Sequence, residues 1–225
     1  MNALQKLPQG PLKLIVFDCD GTLVDSQATI VHCAQEAFDR CGLSVPTADA
    51  VRRIVGLSLE EACCVLLGSD DRETARAIAG AYREAFISYR MRDDFSEPLF
   101  DGVLELLDHL LARELMLGVA TGKNMRGLSH VLAHHGLERF FVTLQTADLH
   151  PSKPHPSMME AAMRDTGATP VETVIIGDTT FDIEMGIAAG CRAIGVAYGN
   201  HPPAELRAAG AAVILERISE LTDHL

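Results

Sequence analysis

A chain of 225 residues with 48% hydrophobic and 22% charged side chains can fill a core, as one large domain or a domain with a smaller insert. Its formal net charge of -12 argues against a nucleic-acid binder, which rests on clustered Lys and Arg, but leaves room for a phosphorylated small molecule held by a local cation. No apolar run approaches a membrane span, and Met1–Pro8 lacks the apolar stretch of a signal peptide, so a cytoplasmic protein is expected.

Leu12–Phe17 carries five apolar residues interrupted only by Lys13, the pattern of a buried parallel strand, and the run stops at Asp18. Asp20 follows, and Gly21 permits a sharp turn. Residues 26 to 92 then read as helical. Ser26 is placed to cap a helix with Val31, Ala34, Phe38 and Cys41 on one face and Gly42 at its end. Pro46 to Val55 predicts a short helix broken at Gly56, and Ser58-Leu59-Glu60-Glu61 reads as a capping box. Ala75, Ile78, Ala79, Tyr82, Phe86 and Tyr89 mark a long amphipathic helix, with a polar exit through Arg90–Asp94 and Ser96–Pro98.

From Phe100 onward helices and strands alternate. Val103, Leu106, Leu107 and Leu110 predict a helix, Leu115–Ala120 a strand ending at Thr121, and Asn124 the cap of a helix stopped by Gly136. Phe140–Leu144 reads as a short strand, Pro156 opens a helix that runs toward Gly167, and Val174–Ile176 is a strand leading into Gly177-Asp178. A helix over Phe181–Ala189 and strands at Arg192–Val196 and Ala211–Leu215 complete the pattern. This alternation predicts an α/β fold with a doubly wound parallel sheet, interrupted by one helical block. The six cysteines show no C-x-x-C spacing and read as reduced packing residues, and the nine histidines are scattered.

Four strand ends carry polar groups that a core does not need: Asp18 with Asp20, Thr121, Lys153 in the following loop, and Asp178 with Asp182 one helical turn later. In a parallel sheet these share the edge where α/β folds bind ligands. An ordinary Asp-Gly turn accounts for a lone D-x-D-G, but not for the whole set. Carboxylates so close together call for a cation or a shared proton, and an all-oxygen set suits a hard ion, Mg²⁺ first, held by Asp18 and Asp178. With the Lys153 charge and the Thr121 hydroxyl, this is the equipment of phosphoryl transfer.

The stretch Asp18-Cys19-Asp20-Gly21-Thr22-Leu23-Val24-Asp25-Ser26 resembles the first motif of the haloacid dehalogenase-like phosphatases. Thr121 falls on that family's second motif, Lys153 on its third, and Gly177-Asp178-Thr179-Thr180-Phe181-Asp182 on its fourth. Val119–Lys123 and Ser152–Pro156 are most similar to phosphoglycolate phosphatase-like members. The resemblance implies a Rossmann-like core over 1–22 and 96–225 with an inserted α-helical cap domain over 23–95. It also implies that Asp18 attacks phosphorus to form an aspartyl-phosphate and that Asp20 serves as acid and base. Asp18, the Asp20 main-chain carbonyl and Asp178 would hold Mg²⁺, Asp182 would orient the metal or its waters, and Thr121 and Lys153 would bind phosphoryl oxygens. Cys19 replaces a larger apolar residue and Thr179 stands where Ser is common; Cys19 is expected to point away and pack.

Lys123 and Arg126, just past Thr121, are the leading candidates for contact with the rest of the substrate, alongside Arg53 and Ser58 near the break in the helical block. The Arg90/Arg92 pair reads as a polar helix end, and Tyr198-Gly199-Asn200 as a loop without an assigned role. The expected partner is a small phosphorylated metabolite, 2-phosphoglycolate first, with no nucleic acid and no membrane. A β-phosphoglucomutase-like mutase is the nearest rival. A dehalogenase has no use for Asp20, and a receiver-type phosphoacceptor domain none for the helical insertion. A dinucleotide binder would need a G-x-G-x-x-G after a strand.

Overall fold

The computed structural model describes residues 11–225, so the expectation about Met1–Pro8 lies outside the described residues. Six strands, β1 (Leu14–Phe17), β2 (Met116–Thr121), β3 (Thr143–Thr146), β4 (Thr173–Gly177), β5 (Arg192–Val196) and β6 (Val213–Leu215), form one sheet. All pairs are parallel, in the order β3-β2-β1-β4-β5-β6. The strand order reverses at β1, so the crevice lies between β1 and β4, as in other doubly wound sheets. Phe17 pairs with Val119 on one side and Ile176 on the other, which sets the ends of β1, β2 and β4 level.

Side chains of a strand alternate between its two faces, and here both faces are apolar. Ile15 and Phe17 pack with the helices α5 (Val103–Ala112) and α6 (Met125–His135), through Leu107, Leu110, Leu128 and Leu132. Leu14 and Val16 pack against α7 (Ser157–Thr166), α8 (Thr180–Ala188) and α9 (Pro203–Ala209), through Met158, Met159, Ile183 and Leu206. Helices on both faces are what right-handed crossovers between parallel strands produce. Among the described residues no helix is long and apolar enough to cross a membrane.

The segment between β1 and α5 folds as α1 (Gln27–Arg40), α2 (Ala48–Arg52), α3 (Leu59–Leu67) and α4 (Arg72–Arg90). Phe38, Cys63, Cys64, Ala75 and Ile78 form one apolar cluster in it, and Ala34, Val51, Ile54 and Ala62 a second. This block meets the sheet unit at several points. The Ser58 N–H donates to Ser152 Oγ (2.8 Å), and Arg53 pairs with Glu205 (2.5 Å). His201 accepts from the Thr180 N–H (3.1 Å) and sets its other ring nitrogen 3.2 Å from the Arg53 carbonyl. Gly122 lets the Gly56–Ser58 turn approach, since a Cβ there would stand 2.5 Å from the Leu57 carbonyl oxygen.

Three local expectations differ from the structure. The strand expected at Phe140–Leu144 starts later, at Thr143, and Glu138–Phe140 form a 3-10 turn that buries Phe140. Strand β3 is polar because it lies at the sheet edge, where Thr143 and Gln145 both donate to Asp165 (2.6 and 2.8 Å). Ser58 occupies the N-cap position of α3 but makes no cap hydrogen bond, and Glu61 pairs with Arg72 (2.6 Å) instead of closing a capping box. Ser26 likewise stands at the start of α1 without capping it, because its hydroxyl donates to Asp20.

Candidate active site

The apolar run of β1 ends at Phe17, so Asp18 leaves the sheet where the Ile176 carbonyl of β4 still accepts its N–H (2.9 Å). Asp178 follows the end of β4, and Asp182 lies in the first turn of α8. All three carboxylates are buried, with oxygens within 4.8 Å of one another. Lys153 reaches in from the loop after β3, its Nζ 2.8 Å from Asp18 Oδ1 and 2.6 Å from Asp182 Oδ1. Only the contact to Asp182 has hydrogen-bonding direction, so neither Asp18 oxygen has a hydrogen-bond partner although both are buried.

Asp178 is held more fully. Thr22 Oγ1 donates to its Oδ1 (3.0 Å), and the Asn200 N–H and Nδ2 both donate to Oδ2 (2.8 Å each). Gly21, at φ 83°, and Gly199 press against this carboxylate so closely that a Cβ on either would stand 2.3 or 2.2 Å from its atoms. Asp182 is engaged at both oxygens. Oδ1 takes Lys153, while Oδ2 accepts from the Thr179 N–H (3.1 Å) and Oγ1 (2.7 Å) as the capping box of α8. Asp182 therefore joins the acidic cluster mainly by fixing Lys153.

Charge explains why such a site needs a cation. Burial raises the pKa of Asp18 well above the usual carboxylate range; Lys153 opposes that shift, and the Asp182 and Asp178 charges add to it. Burial and the Asp182 charge push Asp178 up to about 7, against the bonds from Asn200 and Thr22. Burial also works against the Lys153 ammonium, yet Asp18 and Asp182 hold its pKa above the ordinary lysine value. Three buried carboxyl groups thus face one buried ammonium. An all-oxygen donor set with more acids than cations, and with Asp18 Oδ2 left without a hydrogen-bond partner, fits a hard divalent ion such as Mg²⁺.

Asp20 stands outside this cluster. Its Oδ1 takes Lys123 Nζ (2.9 Å) and the Ser26 hydroxyl. Lys123 is tucked over the Phe86 ring of α4, 5.6 Å from its centroid. Burial opposes the Lys123 charge, but Asp20 first, then Cys19, Glu97 and Tyr82, raise its pKa overall. Thr121 is buried at the end of β2, where its Oγ1 accepts from the Lys123 N–H (3.2 Å). Cys19 is fully buried in the core, and burial pushes its thiol pKa well up, as a packing role requires.

Of the residues expected to contact the substrate, Lys123, Arg126 and Ser58 line one cavity with Asp18, Asp20 and Thr121. Arg53 does not; its guanidinium is on the outside, paired with Glu205. The loop Tyr198-Gly199-Asn200, to which the sequence assigned no role, turns out to hold the site together. Asn200 clamps Asp178, and the Tyr198 hydroxyl donates to the Thr22 carbonyl (2.9 Å). The available signal was its position two residues past the end of a parallel strand, at the edge that already carried Asp18 and Asp178. Were Asp178 to hold Mg²⁺, as this donor set allows, Asn200→Ala would lower Mg²⁺ affinity about tenfold or more, as loss of an outer partner of a metal ligand does. Titrating activity against Mg²⁺ for both proteins checks this, and an unchanged half-saturating concentration contradicts it.

A doubly wound sheet that gathers carboxylates, a buried lysine and a threonine at the crevice of its strand order defines a Rossmann-like phosphoryl-transfer enzyme. The chain matches the haloacid dehalogenase-like hydrolase family over residues 15–196, and it belongs to that family. The "Probable phosphatase IndB" of Dickeya dadantii is 37% identical over 217 residues, 92% of this chain and 91% of that protein. The "Phosphoglycolate phosphatase" of Vibrio parahaemolyticus is 28% identical, over 96% of this chain and 97% of its own. The crystal structure of a hydrolase from Pseudomonas syringae matches with a TM-score of 0.83 at 25% identity, over 94% of this chain and 97% of that one. The protein is a phosphatase of the haloacid dehalogenase-like type.

Proposed function

We propose that this phosphatase is Mg²⁺-dependent and hydrolyses a small-molecule phosphate monoester, of the 2-phosphoglycolate kind, through an aspartyl-phosphate on Asp18. The observation that carries this reading is Asp18 itself: a buried carboxylate at the end of the central strand, its Oδ1 paired with Lys153 and its Oδ2 without a hydrogen-bond partner, beside two further acids. Asp18, Asp178 and the Asp20 main-chain carbonyl would hold the metal. Once bound, the ion supplies the charge that lets a dianionic phosphate approach these acids.

An Asp18 oxygen attacks phosphorus while the bond from phosphorus to the ester oxygen breaks. Asp20 gives its proton to the leaving alcohol. A water molecule then attacks the acyl-phosphate, Asp20 takes the proton from that water, and the bond from phosphorus to Asp18 breaks to release phosphate. Lys123 and Ser26 both bond to Asp20 Oδ1, which leaves Oδ2 for the ester oxygen. Lys153 and the Thr121 hydroxyl would hold phosphoryl oxygens, with Asp182, whose Oδ1 takes the lysine, steadying it. Residues 23–95 act as a cap that covers the site and excludes water.

Rapid acid quench with substrate radiolabelled at phosphorus tests the scheme. The expected result is phosphate release together with a protein-bound label that hydroxylamine removes. Phosphate release with no such label would overturn the covalent step, and isomerised product without phosphate release would replace the hydrolase with a mutase.

A further inference from the structure

The cavity that opens from Asp18 and Asp20 runs on between the helical block and α6 and measures about 1410 Å³, far more than a phosphate and two carbons occupy. Of the four arginines that line it, Arg72, Arg83 and Arg90 come from α4 and Arg126 from the first turn of α6; Arg83, Arg90 and Arg126 carry no ion pair with any described residue, and Arg90, the last residue of α4, and Arg126 belong to opposite units. Neither forms an ion pair or a side-chain hydrogen bond with any described residue, whereas Arg53 and Arg72, on the same helical block, are each paired with a glutamate. Arg90 is half-buried and lies over the Phe86 ring, 5.7 Å from its centroid. Burial lowers its pKa, the Glu97 charge opposes that without forming an ion pair, and the Arg126 charge adds a smaller lowering. Glu97 is itself buried and interacts most strongly with Lys123.

Two like charges carried by separate units repel each other when the units meet. An anion between them turns that repulsion into attraction, and guanidinium forks suit carboxylate and phosphate oxygens. The same cavity contains Asp20, so the anion would sit on the leaving-group side of the ester. We propose that Arg90 and Arg126 read a second oxyanion on the substrate's alcohol, remote from the ester phosphate, and so select phosphomonoesters that carry one. This rests on the phosphatase reading and adds to it the part of the substrate that is recognised. It moves recognition from the Arg53 side of the block to the end of α4.

The test compares substrates in acid and neutral pairs: 2-phosphoglycolate with 2-hydroxyethyl phosphate, and the longer 6-phosphogluconate with glucose 6-phosphate. In the unmodified enzyme, kcat/KM for the acid member should exceed that for its neutral partner by about tenfold or more in at least one pair, the scale of one charge-assisted hydrogen bond. In the double variant Arg90→Gln/Arg126→Gln that ratio should fall to about one, with the change mainly in KM. Damage to folding or to chemistry lowers both members of a pair together, so the ratio isolates recognition. A ratio near one in both pairs for the unmodified enzyme, or a ratio that survives in the double variant, would overturn the proposal while phosphate release from the neutral esters left the phosphatase reading standing. No phosphate release from any of the four esters would sink both.

Discussion

Asp18→Asn is expected to yield a folded protein with kcat reduced by about 10⁴-fold or more, the scale seen when a catalytic nucleophile is removed. The amide cannot form the acyl-phosphate, and it offers the metal a poorer oxygen. Stability should hold or rise. Asp18 is charged only against a large desolvation cost, and the Asp178 and Asp182 charges add to that cost. Its removal leaves Lys153 bonded to Asp182 Oδ1, so the ammonium does not become an unpaired buried charge. Phosphate release and thermal unfolding of the two proteins, measured side by side, check both halves. Near-normal turnover in the variant would remove Asp18 from the chemistry. Lost turnover with a much lower melting temperature would make Asp18 a structural residue.

The parts of this molecule legible in the sequence are those governed by where an apolar run stops. β1 and β4 are buried on both faces, so they show as unbroken hydrophobic stretches, and the residues just past them, Asp18 and Asp178, stand out. Asn124 and Gly136 were equally readable, because a side-chain cap at one end and a left-handed glycine at the other are local requirements of α6. The bounds of strand β3 were misread because an edge strand can satisfy polar side chains, here through Asp165, so no apolar run marks them. Helix α9 escaped because seven residues with Leu206 as their one buried side chain make no periodic pattern. Ser26 misled for a related reason: a hydroxyl at a helix start reads as a cap, but this one bonds to a carboxylate six residues earlier. Asn200 and Lys123 bond to carboxylates more than twenty residues away, and no spacing rule connects them.

Treatment with a chelator is expected to abolish turnover and added Mg²⁺ to restore it, for a reason that lies in the protein's own buried charges. With three buried carboxyl groups against one lysine, the site needs a proton or a cation to balance it, and burial and the Asp182 charge push Asp178 up to about 7. A dianionic ester cannot approach such a site at neutral pH without a counter-ion. The same imbalance predicts that the chelated protein gains stability from Mg²⁺ alone, without substrate. At a concentration of 100 times Kd the gain is about 2.7 kcal/mol. For a chain of this length that shifts Tm by about 2–4 °C per kcal/mol. Asp178→Asn should lose most of the shift, because it removes a ligand and one of the charges that make the ion favourable. The same substitution should make the metal-free protein no less stable, since the charge removed is one that burial opposes. A scan of Tm against Mg²⁺ concentration for both proteins separates the cases. Full turnover in chelator, or an equal Mg²⁺ shift in the variant, would mean that Lys153 alone balances these carboxylates.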